Sequence, residues 1–156
     1  MKYKLLRFSL LSILAMLWGV VYADYEKVTA TNDITSGDYL IVYEEGGVAF
    51  NGALETLDAV SNTVEVVIDN GKIASSTTVD AAIFTIDATN GTLKSASGKY
   101  IGISSNSNGL KQSEDATAYT HTFSIDDDGN AVIAASFDQS TMSLRYNKAS
   151  NQTRFR

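Results

Sequence analysis

Apolar and polar residues alternate in short runs over most of residues 24–156, and a period of two is typical of β-strands. Turn-forming pairs interrupt these runs, including Asn70-Gly71, Asn90-Gly91 and Asp128-Gly129. No helical period is sustained in this part of the sequence, so the pattern predicts an all-β protein. The strands that alternate most clearly are predicted over 38–44, 63–69, 82–87, 119–125 and 142–146.

Each predicted strand turns a set of apolar side chains towards a common core. In 38–44 both faces carry apolar residues, which predicts that both are at least partly covered. The predicted core consists of Tyr39, Ile41, Val64, Val66, Phe84, Ile86, Phe123, Ile125 and Leu144.

The sequence also contains an internal repeat. Asn70–Ile73 followed by Phe84–Asp87 is echoed by Asn108–Lys111 followed by Phe123–Asp126, at offsets of 38 and 39 residues. A weaker counterpart starts at Gly47. Three such units predict a β-trefoil-like, pseudo-threefold barrel of about 11–12 short strands, with an open β-sandwich as the alternative.

The repeat resembles a known pattern. Gly98-Lys99-Tyr100-Ile101-Gly102, Asn108-Gly109-Leu110 and Phe123-Ser124-Ile125 are similar to a repeat of β-trefoil proteins of the fascin-like and actin-crosslinking-like kind. The resemblance covers about 110 residues and implies the same pseudo-threefold fold.

A second resemblance is more specific. Ser36–Tyr43, Ala49–Leu54 and Leu144–Asn147, with Arg154–Arg156, resemble an uncharacterised secreted domain of anaerobic Gram-negative gut bacteria. That domain often precedes other modules in larger exported proteins, and its members continue past the Arg-Phe-Arg with one or two more strands. The 133 residues of 24–156 are a length that predicts a single domain, and the resemblance implies that this domain is truncated at its C-terminus. It also implies that the strand near Tyr25–Thr29 has lost a pairing partner, and an unpaired edge invites aggregation.

Residues 1–23 have the composition of a secretory signal peptide. Three basic residues come first, the apolar segment Phe8–Val21 follows, and Val21-Tyr22-Ala23 offers small residues for cleavage. A transmembrane anchor is the alternative, but the apolar segment is shorter than the ~20 residues that span a bilayer and no basic cluster follows it. We therefore expect cleavage before Asp24 and a secreted or periplasmic protein that is not held in the membrane.

Charge and cysteine content exclude several classes of function. Three of the 12 basic residues lie in the predicted signal and all 18 acidic residues follow it, so the mature net charge is 9 minus 18, or −9. Such a chain repels phosphate backbones, so we expect no nucleic-acid partner. The absence of cysteine excludes disulfides, thiolate metal sites and a lipid-modified cysteine.

Few residues suggest catalysis or metal binding. His121 is the only histidine and is predicted to be a partly buried structural residue. Asp126–Asn130 has oxygen ligands at alternate positions, as in a calcium loop, but Ala131 stands where that loop needs glycine. A hairpin turn is the better interpretation, with weak extracellular calcium binding as the alternative. We expect no metal and no cofactor.

A glycosidase would need a pair of carboxylates. Nothing in the spacing of the candidates distinguishes them from solvated turn and edge residues, so we do not expect an enzyme. The candidates are Glu44, Glu45, Glu55, Asp58 and Glu65.

Every arginine of the mature chain lies in its last 12 residues. A positive patch in an acidic domain could bind a carboxylate or sulfate bidentately. The alternative, which we favour, is that these arginines pair with acids of neighbouring strands, such as Glu44 and Glu45. If the patch binds a ligand, the predicted site is Arg145, Tyr146, Asn147 and Arg154.

The expected function is a secreted, non-catalytic binding or interaction module, serving as an accessory domain of a larger exported protein, with an extracellular glycan or protein as its partner. Ricin-type sugar binding is disfavoured because the only tryptophan, Trp18, lies in the predicted signal. Tyr39, Tyr43, Tyr100 and Tyr146 could replace indole as stacking platforms, although alternation favours core packing for most of them. A structural spacer is the first alternative and a small secreted glycosidase the second. The oligomeric state is left open.

Overall fold

The computed structural model describes residues 24–105 and 109–156, so the predicted signal peptide lies outside the described residues. These residues are mostly strands and turns, which confirms the all-β prediction. The strands form five antiparallel sheets, and within the described ranges none of them closes into a barrel.

The described residues contain 16 strands, more than expected, because several are only two residues long. One short helix, α1 (Thr77–Asp80), and two 3-10 turns, Thr31–Asp33 and Glu44–Gly46, interrupt them. The strands are β1 (Tyr25–Glu26), β2 (Gly37–Tyr39), β3 (Val42–Tyr43), β4 (Val48–Phe50), β5 (Thr63–Glu65), β6 (Ile68–Asp69), β7 (Lys72–Ile73), β8 (Phe84–Asp87), β9 (Thr92–Ser95), β10 (Tyr100–Gly102), β11 (Lys111–Ser113), β12 (Thr120–Ile125), β13 (Ala131–Phe137), β14 (Ser140–Ser143), β15 (Tyr146–Asn147) and β16 (Arg154–Phe155).

The largest sheet places its five strands in the order β11-β10-β9-β8-β2. Three sheets have three strands each, in the orders β3-β4-β5, β1-β7-β6 and β12-β13-β14, and the last is the hairpin β15-β16.

Three of the predicted strands are wrong as single strands. One is the predicted run 142–146, which is divided between β14 and β15 of different sheets. The predicted run 38–44 is divided between β2, which pairs with β8, and β3, which pairs with β4 in another sheet. The predicted run 63–69 is likewise divided between β5 and β6. The break in the run 63–69 leaves Val67 82% exposed beside the buried Val66. Apolar residues continue through these breaks, because a sequence pattern reports which residues are apolar and not which sheet they join.

The predicted turn at Asn70-Gly71 is confirmed. Both residues have positive φ, 50° and 77°, and they connect β6 to β7 as a two-residue hairpin loop.

The main core joins residues from the beginning, middle and end of the described chain. Phe50 is fully buried, with its ring centroid 4.7 Å from Phe84 and 5.1 Å from Phe155. Of the predicted core, Val66, Phe84 and Ile86 are buried. The other predicted members are partly buried, namely Tyr39, Ile41, Val64, Phe123, Ile125 and Leu144. The prediction omitted several fully or nearly fully buried residues, namely Phe50, Leu57, Leu93, Ile101, Ile133 and Phe155.

The first described strand is paired on one side, so the expectation that the strand near Tyr25–Thr29 has lost a second partner stays a prediction. β1 forms an antiparallel pair with β7, although it lies at the edge of its sheet. The Tyr25 hydroxyl donates to Asp80 Oδ1 at 2.8 Å, and burial together with this carboxylate raises the pKa of Tyr25 to about 12. The start of the predicted mature chain is therefore attached to the fold.

Candidate functional site

The four residues of the predicted site lie on the C-terminal hairpin, β15–β16. Tyr146 pairs in register with Phe155, and Asn147 with Arg154. Because side chains alternate along a strand, the first pair shares one face of the hairpin and the second pair shares the other. Arg145 and Arg156 extend the hairpin by exchanging two backbone hydrogen bonds of 2.9 Å.

Tyr146 packs into the protein. Its ring stacks on Tyr43 at a centroid distance of 4.6 Å and also contacts Phe155 at 5.1 Å. Tyr43 and Tyr146 both pack against the main core, as the alternation suggested. Their rings hold the hairpin in place.

Asn62 attaches the hairpin to the rest of the fold. This amide is fully buried, and its Oδ1 accepts the backbone N–H of Phe155 at 2.8 Å while its Nδ2 donates to the Phe155 carbonyl at 2.9 Å. The same Nδ2 donates to the Leu57 carbonyl at 2.6 Å. Nothing in the local sequence marked Asn62, because an asparagine before a strand is usually an exposed turn residue.

The favoured expectation that the arginines pair with acids is met at Arg154, although its partner is Asp58 and not Glu44 or Glu45, the examples suggested. Arg154 Nε lies 3.2 Å from Asp58 Oδ1, and both side chains are largely covered. This contact is an ion pair by distance, although its angle is unsuitable for a hydrogen bond. Lysines pair with the two glutamates instead.

Lys148 Nζ lies 2.5 Å from Glu45 Oε2, and Lys27 Nζ lies 2.7 Å from Glu44 Oε1. The hydrogen bond from Lys148, with one from Tyr43, lowers the pKa of Glu45. Both pairs are exposed, so each contributes under ~1 kcal/mol to stability.

A groove of about 460 Å³ lies at some distance in sequence from the predicted site. The turn after β8, the start of β9, β10 and the loop before β12 contribute to it. We call it the polar-aromatic groove, and its lining includes Asp87, Asn90, Thr92, Tyr100, Thr117 and Tyr119.

Two glycines bring the walls of the groove together. Gly91 accepts a backbone hydrogen bond from His121 at 2.7 Å, and a Cβ at Gly91 would lie 2.6 Å from the His121 carbonyl oxygen. At Gly102 a Cβ would lie 2.4 Å from Cγ of Tyr119, so the tyrosine ring rests directly on the β10 backbone. Only glycine permits these two approaches.

The polar groups at the groove are held in place by short-range hydrogen bonds. Asp87 Oδ1 accepts the backbone N–H groups of Thr89 and Asn90, both at 3.0 Å, and its Oδ2 accepts Asn90 Nδ2 at 2.7 Å. The hydrogen bonds from Asn90 lower the pKa of Asp87, so this carboxylate is an acceptor at neutral pH. Thr117 is held in the same way by Asp115, at 2.8 Å.

The two tyrosines are partly buried, and burial raises the pKa of Tyr119. Lys94 Nζ lies 5.5 Å from the centroid of the Tyr100 ring. Tyr100 was among the predicted stacking candidates, whereas Tyr119 was predicted to lie on a strand face. The run of threonines around Tyr119 was the signal that could have marked it, since polar residues beside an aromatic ring are typical of a binding surface.

His121 is buried, as a structural histidine would be. It is 7% exposed and its ring lies 5.9 Å from Phe123 in a stacked arrangement. Burial lowers the pKa of His121, and a hydrogen bond with Gly91 partly opposes this shift. Its Nδ1 is buried and has no hydrogen-bond partner among the described residues.

The Asp126–Asn130 segment is a hairpin turn between β12 and β13, as favoured above. Asp126 Oδ1 accepts the backbone N–H groups of Asp128 and Asn130 at 3.1 and 2.8 Å. In the two described ranges, no group of three or more histidine, aspartate or glutamate side chains is placed to hold a metal ion.

The carboxylates considered for glycosidase chemistry do not line the groove. Glu44, Glu45 and Asp58 are in the ion pairs above, and Glu55 and Glu65 are exposed. In the part of the chain that the structure describes, no helix is long and apolar enough to span a membrane.

A family model described as a domain of unknown function, DUF7908, matches residues 59–150. No curated protein and no solved structure matches the sequence. The matched segment contains every residue that lines the polar-aromatic groove.

Proposed function

The chain belongs to the DUF7908 family, and we propose that it is an exported, non-catalytic binding domain that holds a neutral glycan in the polar-aromatic groove. The observation that carries this proposal is the position of Tyr100 and Tyr119 beside fixed polar groups in one groove.

The size of the groove fits a small part of a glycan. Its volume of about 460 Å³ falls within the usual range for ligand sites, roughly 300–1,000 Å³. Sugars present C–H faces and hydroxyl edges, so they are bound by aromatic rings together with fixed acceptors and donors. Tyr100 and Tyr119 supply the rings, and Asp87 and Thr92 supply polar partners.

Charge favours a neutral glycan over an acidic one. A carboxylate offers about four acceptor positions, and Asp87 uses three of them in its own turn, which leaves capacity for a sugar hydroxyl. The same negative charge repels a uronate or sulfate group, as does the predicted mature net charge of −9.

The same lining supports the proposal of binding without catalysis. Among the described residues that form the groove, Asp87 is the one carboxylate, whereas glycoside hydrolysis needs two. The predicted signal peptide supports export, and the resemblance to domains of larger exported proteins supports an accessory role.

We further propose that the fold is β-trefoil-like. In support, the hairpin β8–β9 is echoed about 39 residues later by β12–β13, as the repeat predicts. Phe84, Ile86 and Leu93 of the first hairpin join the main core, and Phe123 and Ile133 of the second do the same. A pseudo-threefold fold explains why equivalent residues meet in one core.

The test is calorimetric titration of the chain from Asp24 onwards with neutral and acidic polysaccharides. We expect saturable binding of a neutral glycan, lowered about tenfold or more by Tyr100→Ala, since aromatic anchors dominate such sites. Tyr100→Phe keeps the ring and should retain most of the affinity. Thr141→Ala, an exposed threonine outside the groove, is the matched control and should bind as the wild type does.

Two results would contradict the proposal. The first is equally tight binding of a neutral glycan by folded Tyr100→Ala, which would show that the groove does not hold the glycan. The second is that the chain binds none of the neutral glycans, which would favour the alternative function of a structural spacer. Binding by Arg145, Tyr146, Asn147 and Arg154 stays a separate prediction, which Arg145→Ala tests with an anionic ligand.

A further inference from the structure

The five-stranded sheet carries a row of side chains that runs across all of its strands. Each strand contributes one residue, and each residue lies directly opposite the next in the register. Directly opposite residues of an antiparallel pair point to the same side of a sheet. The row, which we call the polar row, consists of Asp38, Thr85, Lys94, Tyr100 and Ser113. It spans roughly 19 Å, because neighbouring strands lie about 4.8 Å apart.

The polar row lies on the outer side of the sheet. Asp38, Thr85 and Lys94 are exposed. Phe84 and Ile86, on either side of Thr85 in β8, are buried in the main core. Because side chains alternate along a strand, the core covers the inner side of the sheet and the polar row faces solvent.

The polar row is continuous with the polar-aromatic groove. Tyr100 belongs to both, since it also lines the groove. Asp87 and Thr92 are a directly opposite pair of β8 and β9 that lines the groove as well. Each of them lies two positions along its strand from a member of the polar row, and therefore on the same face. The groove and the row thus form one surface.

Contacts within the polar row hold its side chains in place. Thr85 Oγ1 donates to Asp38 Oδ1 at 2.7 Å, and Lys94 Nζ lies 5.5 Å from the centroid of the Tyr100 ring. A carboxylate offers about four acceptor positions and an ammonium group offers three donors, so both can still bind sugar hydroxyls. The row contains one acidic and one basic side chain, whose opposite charges favour a neutral ligand.

We propose that this surface binds several consecutive units of an unbranched, extended neutral polysaccharide. One part of the polysaccharide lies in the polar-aromatic groove, and the following units lie over the polar row from Tyr100 towards Asp38. The inference rests on the proposed binding of a neutral glycan and names the class of glycan. An extended chain can contact the row with successive units, whereas a curved or branched chain is lifted away from it.

The experiment is a two-dimensional amide NMR titration of the chain from Asp24 onwards with β-1,4-linked gluco- and manno-oligosaccharides of two and six units. In at least one series, six units should bind about tenfold more tightly than two, which corresponds to one or two additional hydrogen bonds. The amide of Tyr100 should shift with both lengths. The amides of Asp38 and Thr85 should shift only with six units. Maltohexaose, whose α-1,4 linkages curve the chain, should show no such gain over maltose.

Asp38→Ala tests the end of the row that is farthest from the groove. It should weaken binding of the six-unit ligand about fivefold, because it removes a hydrogen-bond acceptor for that ligand. It should leave binding of the two-unit ligand unchanged. Asp127→Ala is the matched control, since it removes an exposed aspartate from the turn between β12 and β13, outside the five-stranded sheet. It should leave binding of both lengths unchanged.

Three results would overturn the inference. They are equal affinity for two and six units, equal loss in Asp38→Ala and Asp127→Ala, and a gain for maltohexaose as large as that for the extended chains. If Tyr100→Ala still weakens binding in any of these cases, the groove proposal stands and only the extended surface is wrong. If neither six-unit ligand binds, this inference is wrong, and the titration with other neutral polysaccharides decides the proposed function separately.

Discussion

At the scale of single residues, polar side chains in the interior decide how the last strand is held. Asn62 satisfies both backbone groups of Phe155 with one amide, in a place that water does not reach. A buried group that loses its partner costs more than the hydrogen bond contributed, because its desolvation is no longer compensated. His121 is the contrasting case, because its Nδ1 is buried and forms no hydrogen bond with any described residue.

Asn62→Ala should lower the free energy of unfolding by about 3 kcal/mol, because it leaves the N–H and carbonyl of Phe155 and the Leu57 carbonyl without partners. Urea denaturation measures the loss. Asn147→Ala is the control, since Asn147 makes one exposed bond, to the Ala149 N–H at 3.1 Å, and should cost well under ~1 kcal/mol. Equal losses in the two variants would contradict the role of Asn62.

His121 should make stability depend on pH. Burial lowers its pKa below the usual 6.5, so the unfolded chain binds its proton first as the pH falls. The stability is therefore complete above pH 6.5 and declines as the pH falls towards the folded-state pKa. Urea midpoints between pH 7.5 and 5.5, above most carboxylate titrations, should decrease for the wild type. The midpoints should change less with pH for His121→Leu. If the midpoints of the two proteins decrease equally as the pH falls, the prediction is wrong.

At the scale of elements, close backbone approaches position the groove. Tyr119 precedes β12, and its ring rests on Gly102 of β10, in a sheet that β12 does not join. Gly91 brings the β8–β9 turn against β12 in the same way. The groove thus depends on two glycines that have no binding chemistry of their own.

Gly102→Ala should displace the Tyr119 ring, because the added Cβ would lie 2.4–2.6 Å from three of its carbons. We expect a loss of about 1–3 kcal/mol in stability and weaker glycan binding. Gly37→Ala is the matched control, since it is also a strand glycine and its Cβ would meet nothing within 4 Å. If the two variants have equal stability and equal affinity for the glycan, the close contact between Gly102 and the Tyr119 ring does not position the groove.

At the scale of the whole molecule, one aromatic cluster connects distant parts of the chain. Phe50, Phe84 and Phe155 belong to three different sheets, yet the Phe50 ring lies 4.7 Å from Phe84 and 5.1 Å from Phe155. The C-terminal hairpin is therefore part of the core, even though its two strands have only two residues each.

Phe155→Ala should lower the free energy of unfolding by about 3–5 kcal/mol, because it leaves a cavity beside Phe50. Far-UV circular dichroism and tyrosine fluorescence should still report one shared transition, since the hairpin and the sheets share this core. If tyrosine fluorescence changes at a lower denaturant concentration while the circular dichroism midpoint stays that of the wild type, the hairpin unfolds on its own instead. Phe137→Ala, an aromatic that is 43% exposed, is the control and should cost much less.

The sequence was sufficient for the features that depend on neighbouring residues. Asn70-Gly71 and Asp126–Asn130 form turns because their own backbone and side chains satisfy the loop, so no distant contact is needed. The alternation of Phe84 and Ile86 identified buried positions for the same reason. It could not show that 38–44 changes sheets, because residues 39–43 are all apolar or aromatic and all partly buried on both sides of that change.

Strand alternation, turn chemistry and net charge were thus determined by the sequence itself, since each follows from the residue and its immediate neighbours. The tertiary structure alone decided that Asn62 is buried against Phe155, that Arg145 lies opposite Arg156, and that Tyr100 and Tyr119 share a groove. Each of these pairs joins residues that are 11 to 93 positions apart, as the numbering shows, with 93 separating Asn62 from Phe155. Such proximity depends on which strands pair and on how the sheets pack together, which no local pattern of residues encodes.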